Sequence, residues 1–259
     1  MLMALEDVNS SYAVSRSGIP GDPTSGHVRP VEPPGLEPPV RELYYEKYSG
    51  KTASITPGFS YDSRDDPFDP NRGLRFTFRP RLAGGPLGGD FDYVRPELTF
   101  SLFKQLNKRN IVGVHLEAGE FFVYNDSQIP IYERYRLGGD QSIRGLRSYS
   151  LLPRTPTGGY FYSTGGSALG GDRYWTGNLE YHIRLGGPVK LVFFTDIGNT
   201  YFETQGWNLS SYRQTAGAEL RVFLPIFQAP IRFIYGKAIS DVFPDEEGDG
   251  FEFSIGTTF

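Results

Sequence analysis

The segment Arg134-Tyr-Arg-Leu-Gly-Gly-Asp-Gln-Ser-Ile-Arg-Gly-Leu-Arg147 interrupts an otherwise regular chain. It is too polar and too rich in glycine to form a strand, and strand-forming segments stand on both sides of it. At its centre Arg144 lies between small and apolar residues. The sequence therefore predicts a loop, and we expect it to fold back against the neighbouring strands.

Outside this loop the chain alternates between apolar and polar residues, which is the period of a β-strand. Most of these segments carry Arg or Glu on one face and large apolar or aromatic residues on the other. The predicted strands are Thr52–Asp62, Leu74–Leu82, Phe91–Phe103, Asn110–Phe121, Thr176–Leu185, Val189–Phe202, Tyr212–Leu224, Ile231–Ile239 and Phe251–Phe259. Strands of this length are long enough to cross a bilayer when tilted.

The composition favours an all-β fold. Of 259 residues, 38% are hydrophobic and 15% are aromatic, and 32 are glycine. We therefore predict an antiparallel transmembrane β-barrel of about 9–11 strands with no helical domain, which is either a barrel of its own or part of a larger barrel. A soluble sandwich or a lipocalin-like barrel shows the same alternation and remains an alternative.

The connections between the predicted strands differ in length. Three are tight (Gln105–Arg109, Gly186–Pro188 and Gln228–Pro230), and four are long (Ser63–Gly73, Asn125–Ser150, Glu203–Ser211 and Ser240–Gly250). Short turns at one end and long loops at the other are typical of outer-membrane barrels, so we expect the two classes to lie at opposite ends.

The sequence predicts two regions: residues 1–49 form a proline-rich irregular segment or a long loop, and residues 50–259 form a transmembrane β-barrel region. Seven prolines between residues 18 and 39 disfavour both helix and central strand. The flanks, residues 9–15 and 41–48, are possible short strands. Residues 1–7 show no signal peptide, and we expect the chain to be a mature or truncated part of something longer.

Arg144 requires partners if its loop folds into the barrel, because a shielded guanidinium is costly unless paired. By the alternation, Glu180 and Asp196 point inward on neighbouring strands. Both can accept charge-assisted hydrogen bonds from Arg144, and Gly145 allows the backbone to pass close to the wall. An exposed loop with a solvated arginine is the alternative.

Several of these residues together resemble the BamA/TamA/FhaC superfamily of outer-membrane assembly and secretion barrels. The loop motif is Ile143, Arg144, Gly145 and Leu146, and the strand motif contains Phe194 and Gly198. Asn178-Leu179-Glu180 resembles the strand glutamate of the superfamily. The hairpin motif comprises Asp62, Arg64, Asp65, Pro67, Pro70 and Gly73, and the C-terminal strand signal comprises Phe251, Phe253 and Phe259. The resemblance covers about residues 51–259 in the family's order.

Other kinds of site have little support in the sequence. The chain has no Cys, its net charge is -4, and no footprint for nucleic acid is present. The acidic hairpin lacks the spacing of a calcium loop, and residues 241–249 are predicted to be a solvated acidic loop. Of the histidines, His27 lies in the proline-rich segment, and His115 and His182 face the lumen without a serine motif nearby. We predict no catalytic residue, no metal and no cofactor.

The resemblance implies a role in folding and inserting outer-membrane proteins without catalysis. It also implies a bacterial outer membrane, or an organelle membrane of bacterial origin, as the location. The expected partners are the lipid bilayer and lipopolysaccharide, client outer-membrane proteins, and other envelope proteins or a second chain that completes the barrel. A secretion or diffusion pore and a structural anchor subunit are the alternative functions.

Overall fold

A computed structural model of the chain describes residues 2–8, 50–155, 158–161, 167–224, 229–248 and 250–256. These residues form one antiparallel sheet in the order β1-β2-β4-β5-β6-β8-β9-β10-β11-β12. The strands are β1 Leu2–Val8, β2 Gly50–Thr56, β3 Phe59–Asp62, β4 Gly73–Ala83, β5 Tyr93–Gln105, β6 Asn110–Glu120, β7 Phe122–Val123, β8 Arg173–Gly186, β9 Val189–Tyr201, β10 Arg213–Val222, β11 Ile231–Ala238 and β12 Phe251–Ile255.

The strands follow the predicted alternation closely. One predicted strand is split into β2 and β3 at Pro57-Gly58, because proline has no N–H to donate to a ladder. Both pieces pair with β4. The two-residue β7 pairs with Tyr93 and Val94 at the N-terminal end of β5. An additional strand, β1, is formed by residues 2–8, which the sequence did not predict as a strand. The flanks at 9–15 and 41–48 and Phe259 lie outside the described residues.

The two faces of the sheet reverse the usual arrangement of a soluble protein. Large apolar side chains on the strands are exposed, whereas charged side chains on the opposite face are buried. The exposed set includes Phe78, Leu98, Leu116, Leu179, Tyr181, Phe193, Phe233, Tyr235, Phe251, Phe253 and Ile255. An apolar outer face around a polar interior is the pattern of a transmembrane barrel, so the predicted fold class is confirmed.

The connections segregate by end with one exception. Consecutive antiparallel strands turn at alternate ends, so the loops 84–92, 121–172, 202–212 and 239–250 share one end. The tight turns 106–109 and 187–188 share the other end with residues 223–230 and with the loop 63–72. The prediction that Ser63–Gly73 lies with the long loops is therefore wrong, because strand order determines the end and loop length does not.

The sheet has two free edges in the described part of the chain, β1 at one side and β12 at the other. No helix among the described residues is long and apolar enough to cross a membrane.

Apolar packing inside the sheet is limited to small clusters beneath the long loops. One of them joins Ile143 and Leu146 of the central loop to Leu137, Leu151 and Tyr174.

Candidate functional site

Arg144 lies inside the curved sheet with no solvent exposure. Its Nε and Nη2 donate to the two carboxylate oxygens of Asp196 on β9, at 2.8 and 2.7 Å. Its Nη1 donates to Glu180 on β8 at 2.5 Å and to Glu219 on β10 at 2.8 Å. The guanidinium therefore joins the central loop to three adjacent strands through charge-assisted hydrogen bonds.

The carboxylates around Arg144 have further cationic partners. Arg221 donates to Glu180 at 2.7 Å and to Glu219 at 2.5 Å. Arg232 on β11 donates from Nε to Glu219 at 2.7 Å. The cluster thus sets the three arginines against the three carboxylates Glu180, Asp196 and Glu219. Because its formal charges balance, the cluster avoids the large cost of an unpaired buried ion.

The backbone of the central loop crosses β11 at close range. Gly145 has φ 86°, and a Cβ at this position would lie 2.6 Å from the carbonyl carbon of Gly236. A Cβ on Gly236 would in turn lie 3.0 Å from Cα of Gly145. Two glycines therefore face one another where the loop meets the wall, since no other residue fits this separation.

The two residues of the strand motif both contact the central loop. Gly198 leaves space for an apolar side chain of the loop, and Phe194 packs against its arginine. Gly198 leaves space for Ile143, whose Cδ1 would lie 3.0 Å from a Cβ added at Gly198. Phe194 stacks under Arg144, with the guanidinium carbon 3.8 Å from the ring centroid. Asn178, from the predicted β8 motif, donates to the carbonyl of Ser142 at 2.9 Å.

A second loop covers the central one. In residues 239–250, the N–H of Gly248 donates to the carbonyl of Gly145 at 3.3 Å, and Glu246 accepts from the N–H of Arg147 at 3.0 Å. The Glu246 side chain is fully buried and accepts from Arg154 at 3.1 Å and from Arg213 at 2.7 Å. The prediction of a solvated acidic loop is wrong for Glu246, because these two arginines compensate its desolvation.

The hairpin motif of residues 62–73 orders its own turn. Asp62 and Arg64 form a paired contact, with Nη2 to Oδ2 at 2.9 Å. The Asp65 carboxylate accepts from the N–H of Asn71 at 2.8 Å and from the N–H of Arg72 at 3.2 Å. Loss of hydration raises the pKa of Asp65, but these hydrogen bonds outweigh that effect and lower the pKa to about 2.

Gly73 and the prolines fix the shape of the same hairpin. Gly73 has φ 106°, and a Cβ there would lie 2.3 Å from the carbonyl oxygen of Ser63. Pro70 is buried, and the carbonyl of Pro67 accepts from Arg64 at 3.3 Å. These residues therefore hold the hairpin motif in one shape.

The hairpin also reaches across the sheet. Asp69 forms an ion pair with the buried Lys190 of β9, and Asn71 accepts a hydrogen bond from Arg184 of β8. The sheet order places β5 and β6 between β4 and these two strands. The hairpin therefore lies over the lumen at the short-turn end.

The lumen histidines have polar neighbours that the sequence did not indicate. Ser101 lies directly opposite His115 in the β5–β6 ladder, and its Oγ is 2.8 Å from Nδ1. His115 Nε2 is 3.2 Å from Glu117. Ser101 is thus a neighbour of His115 that comes from another strand and belongs to no serine motif, and it is only 1% exposed. His182 Nε2 donates to the Glu180 carboxylate at 2.7 Å. No cluster of potential metal ligands occurs among the residues described.

The structure brings Arg144, Glu180 and Asp196 together, and it adds members that the sequence interpretation did not assign to the site. Glu219, Arg221 and Arg232 complete the cluster. Glu219 and Arg221 alternate with the apolar Ala218, Leu220 and Val222 in the predicted strand Tyr212–Leu224, and this alternation was the signal available in the sequence. Phe251 and Phe253 are exposed on β12 and belong to its outer face.

The sequence model of one protein family, the Omp85 superfamily domain, matches residues 31–259 of the chain. These residues include the central loop, the strand motif and the hairpin motif. The chain belongs to the Omp85 superfamily. The predicted resemblance to BamA and its relatives is therefore confirmed.

Similar proteins within the Omp85 superfamily include assembly factors from bacteria and animals. The chain is 32% identical over 206 residues to "Outer membrane protein assembly factor BamA" of Nitratidesulfovibrio vulgaris, covering 78% of the chain and 25% of that protein. It is 29% identical over 193 residues to "Sorting and assembly machinery component 50 homolog" of Xenopus tropicalis, covering 74% of the chain and 39% of that protein.

A solved structure shares the Omp85 fold. BamA from Haemophilus ducreyi lacking POTRA domains 1-3 matches with a TM-score of 0.64 and 21% identity, over 79% of the chain and 41% of that protein. The chain thus spans well under half the length of these relatives. As an Omp85 protein with an exposed apolar face, it is located in an outer membrane.

Proposed function

We propose that this Omp85 chain forms the membrane-embedded part of a factor that helps outer-membrane proteins fold and insert. Two relatives are named as assembly factors or assembly-machinery components. The proposal rests on one observation: the central loop braces the inner strands of the sheet, while one edge of the sheet stays free. The central loop holds β8, β9 and β10 together through Arg144, while β12 has no neighbour on its outer side among the described strands.

The proposed mechanism uses backbone groups and needs no catalytic residue. An edge strand presents unpaired N–H and C=O groups, which can template an incoming strand by β-augmentation. The exposed aromatic side chains of β12 meet lipid, so an incoming strand enters the sheet at the membrane itself. The brace keeps β8, β9 and β10 in place while β12 parts from β11 and the incoming strand pairs with the exposed edges.

The proposed partners follow from this mechanism. They are the lipid bilayer, with lipopolysaccharide where the outer membrane contains it, client outer-membrane proteins, and envelope proteins or a second chain that completes the barrel. A diffusion pore fits less well, because the arginines and carboxylates of the described lumen are engaged in ion pairs and the hairpin lies over one mouth.

The test is insertion of a small outer-membrane barrel into liposomes with and without this protein. We expect the client to reach its heat-modifiable, folded gel form faster in liposomes that contain the protein than in empty liposomes. Equal rates in the two preparations would refute the proposal. Native mass in mild detergent would then show whether the chain is instead an anchor in a larger particle.

A further inference from the structure

Asp140 lies four residues before Arg144 and faces the free edge of the sheet. Its carboxylate accepts a hydrogen bond from Ser254 Oγ on β12 at 2.6 Å. The same carboxylate oxygen lies 3.6 Å from Arg232 Nη1 on β11, and the Asp140 carbonyl accepts from Arg232 Nη2 at 3.3 Å. Asp140 of the central loop therefore contacts both of the last two strands.

These two partners of Asp140 are direct neighbours across a ladder. Arg232 and Ser254 stand opposite one another in the β11–β12 pairing. That pairing runs only from Ile231 to Tyr235 on β11, whereas the β10–β11 and β9–β10 ladders are longer. Asp140 bridges the shortest of these three ladders from the inside, where its side chain is half-buried.

The second inward side chain of β12 also meets the central loop. Glu252 lies against the backbone of Gly145, but its Oε2 is buried and has no hydrogen-bond partner. A buried carboxylate oxygen without a partner weakens the attachment of the strand that carries it. Ser254 of β12 thus makes its side-chain hydrogen bond to Asp140, whereas one carboxylate oxygen of Glu252 makes none.

We propose that Asp140 is a positioning residue that holds edge strand β12 against β11 and so sets how readily this edge opens to an incoming client strand. The part that concerns clients rests on the proposed function. The part that concerns β12 stands on the contacts of Asp140 alone. Arg144 secures the inner strands, and Asp140 secures the strand that must be exchanged.

The first experiment is amide hydrogen exchange of the protein in liposomes. Asp140→Ala should raise exchange at Phe251–Ile255 about tenfold, as expected when a strong hydrogen bond that limits local opening is lost. Ser254→Ala should act in the same direction. Asp140→Asn should have a smaller effect, because its amide oxygen still accepts from Ser254. Exchange in β8 and β9 should not change.

The matched control is Ser60→Ala on β3, which removes an exposed strand hydroxyl far from β12. It should leave exchange at Phe251–Ile255 unchanged. If Asp140→Ala and Ser254→Ala leave β12 as protected as in the wild type, the proposal is overturned. It is equally overturned if both raise exchange to the same extent in β8 and β9, since Asp140 would then support the whole sheet.

The second experiment repeats the client insertion assay with Asp140→Ala. We expect client insertion to be several-fold faster than with the wild type, because the edge opens more often. If the wild type accelerates insertion and Asp140→Ala gives the same rate, Asp140 does not control the exchange. If the wild type gives no acceleration over empty liposomes, the proposed function fails, and the exchange data still decide whether Asp140 holds β12.

Discussion

Arg144 remains charged at every pH at which proteins fold, and it lies where water does not reach it. Such a group stabilises a structure only when each of its donors finds an acceptor. Asp196 takes two donors in a bidentate contact, and Glu180 and Glu219 share a third. Arg144 therefore links loop and wall, and its removal leaves three buried carboxylates with two arginines.

We predict that Arg144→Ala lowers the free energy of unfolding by about 3–5 kcal/mol, because buried carboxylates lose their counter-charge. Urea titration followed by heat-modifiable gel mobility measures this change. Arg136→Ala, an exposed arginine in the same loop, should stay within about 0.5 kcal/mol of the wild type. Unchanged mobility of Arg144→Ala would contradict the prediction.

The close approach of Gly145 to β11 leads to a second prediction. Gly145→Ala should destabilise the protein by about 1–3 kcal/mol more than Gly187→Ala, because only the first substitution meets another backbone. Gly187 has φ 57° with nothing within 4 Å, so the control carries the conformational strain alone. Equal unfolding midpoints for the two variants would show that the loop moves away from the wall without cost.

At the scale of the element, the hairpin of residues 62–73 shows how a polar turn is kept in one shape. Asp65 receives three hydrogen bonds from Asn71 and Arg72, and Asp66 accepts from the N–H groups of Phe68 and Asp69. The acidic residues are thus used as acceptors within the turn. Hydrogen bonds within the turn therefore account for the two neighbouring carboxylates Asp65 and Asp66.

The stability of this hairpin should depend on pH. The pKa of Asp65 is lowered to about 2 in the folded protein, against about 3.9 for an unfolded chain. The ionised Asp65 therefore stabilises the fold above about pH 4, and this contribution is lost as the pH falls towards 2. Wild type and Asp65→Asn should differ in unfolding midpoint at pH 6 and converge near pH 2. A difference that does not vary with pH would contradict this assignment.

At the scale of the whole molecule, the hairpin and the central loop enter the lumen from opposite ends. The central loop is held by Arg144, and the hairpin is held across the lumen by the contact of Asp69 with Lys190. The interior of the sheet is thus obstructed by two segments that belong to the chain itself.

Release of the hairpin should open one mouth of the lumen. We predict that Asp69→Ala and Lys190→Ala each raise single-channel conductance in planar bilayers relative to the wild type. Asp241→Ala removes the same charge from an exposed position at the long-loop end and should leave conductance unchanged. If all three variants conduct like the wild type, the hairpin does not limit passage through the lumen.

Much of the fold was predictable from sequence, because alternation is a local property that determines which side chains share a face. It placed Glu180, Asp196 and Glu219 on the inner surface. Alternation did not indicate that Glu219 lies at the same level along the barrel axis as Arg144. The stagger between neighbouring strands determines which inward residues share a level. Arg232 was missed for the same reason.

Two predictions about loops were wrong, because loops have no repeating pattern like the alternation of side chains along a strand. Ser63–Gly73 was assigned to the long-loop end from its length, although strand order places it at the other end. Glu246 was taken as solvated from its acidic surroundings, although Arg154 and Arg213 approach it from distant parts of the chain. Contacts between residues far apart in sequence cannot be inferred from periodicity.

The brace around Arg144 also bears on the order of events in folding. The contacts of the loop span 36 residues to Glu180, 52 to Asp196, 75 to Glu219 and, from Asp140, 114 to Ser254. Contacts of such long range form late, because the intervening chain must first be arranged. Interactions that are absent from the transition state slow unfolding more than they speed folding. The loop therefore acts as a closing step that gives the finished barrel a long lifetime in its membrane.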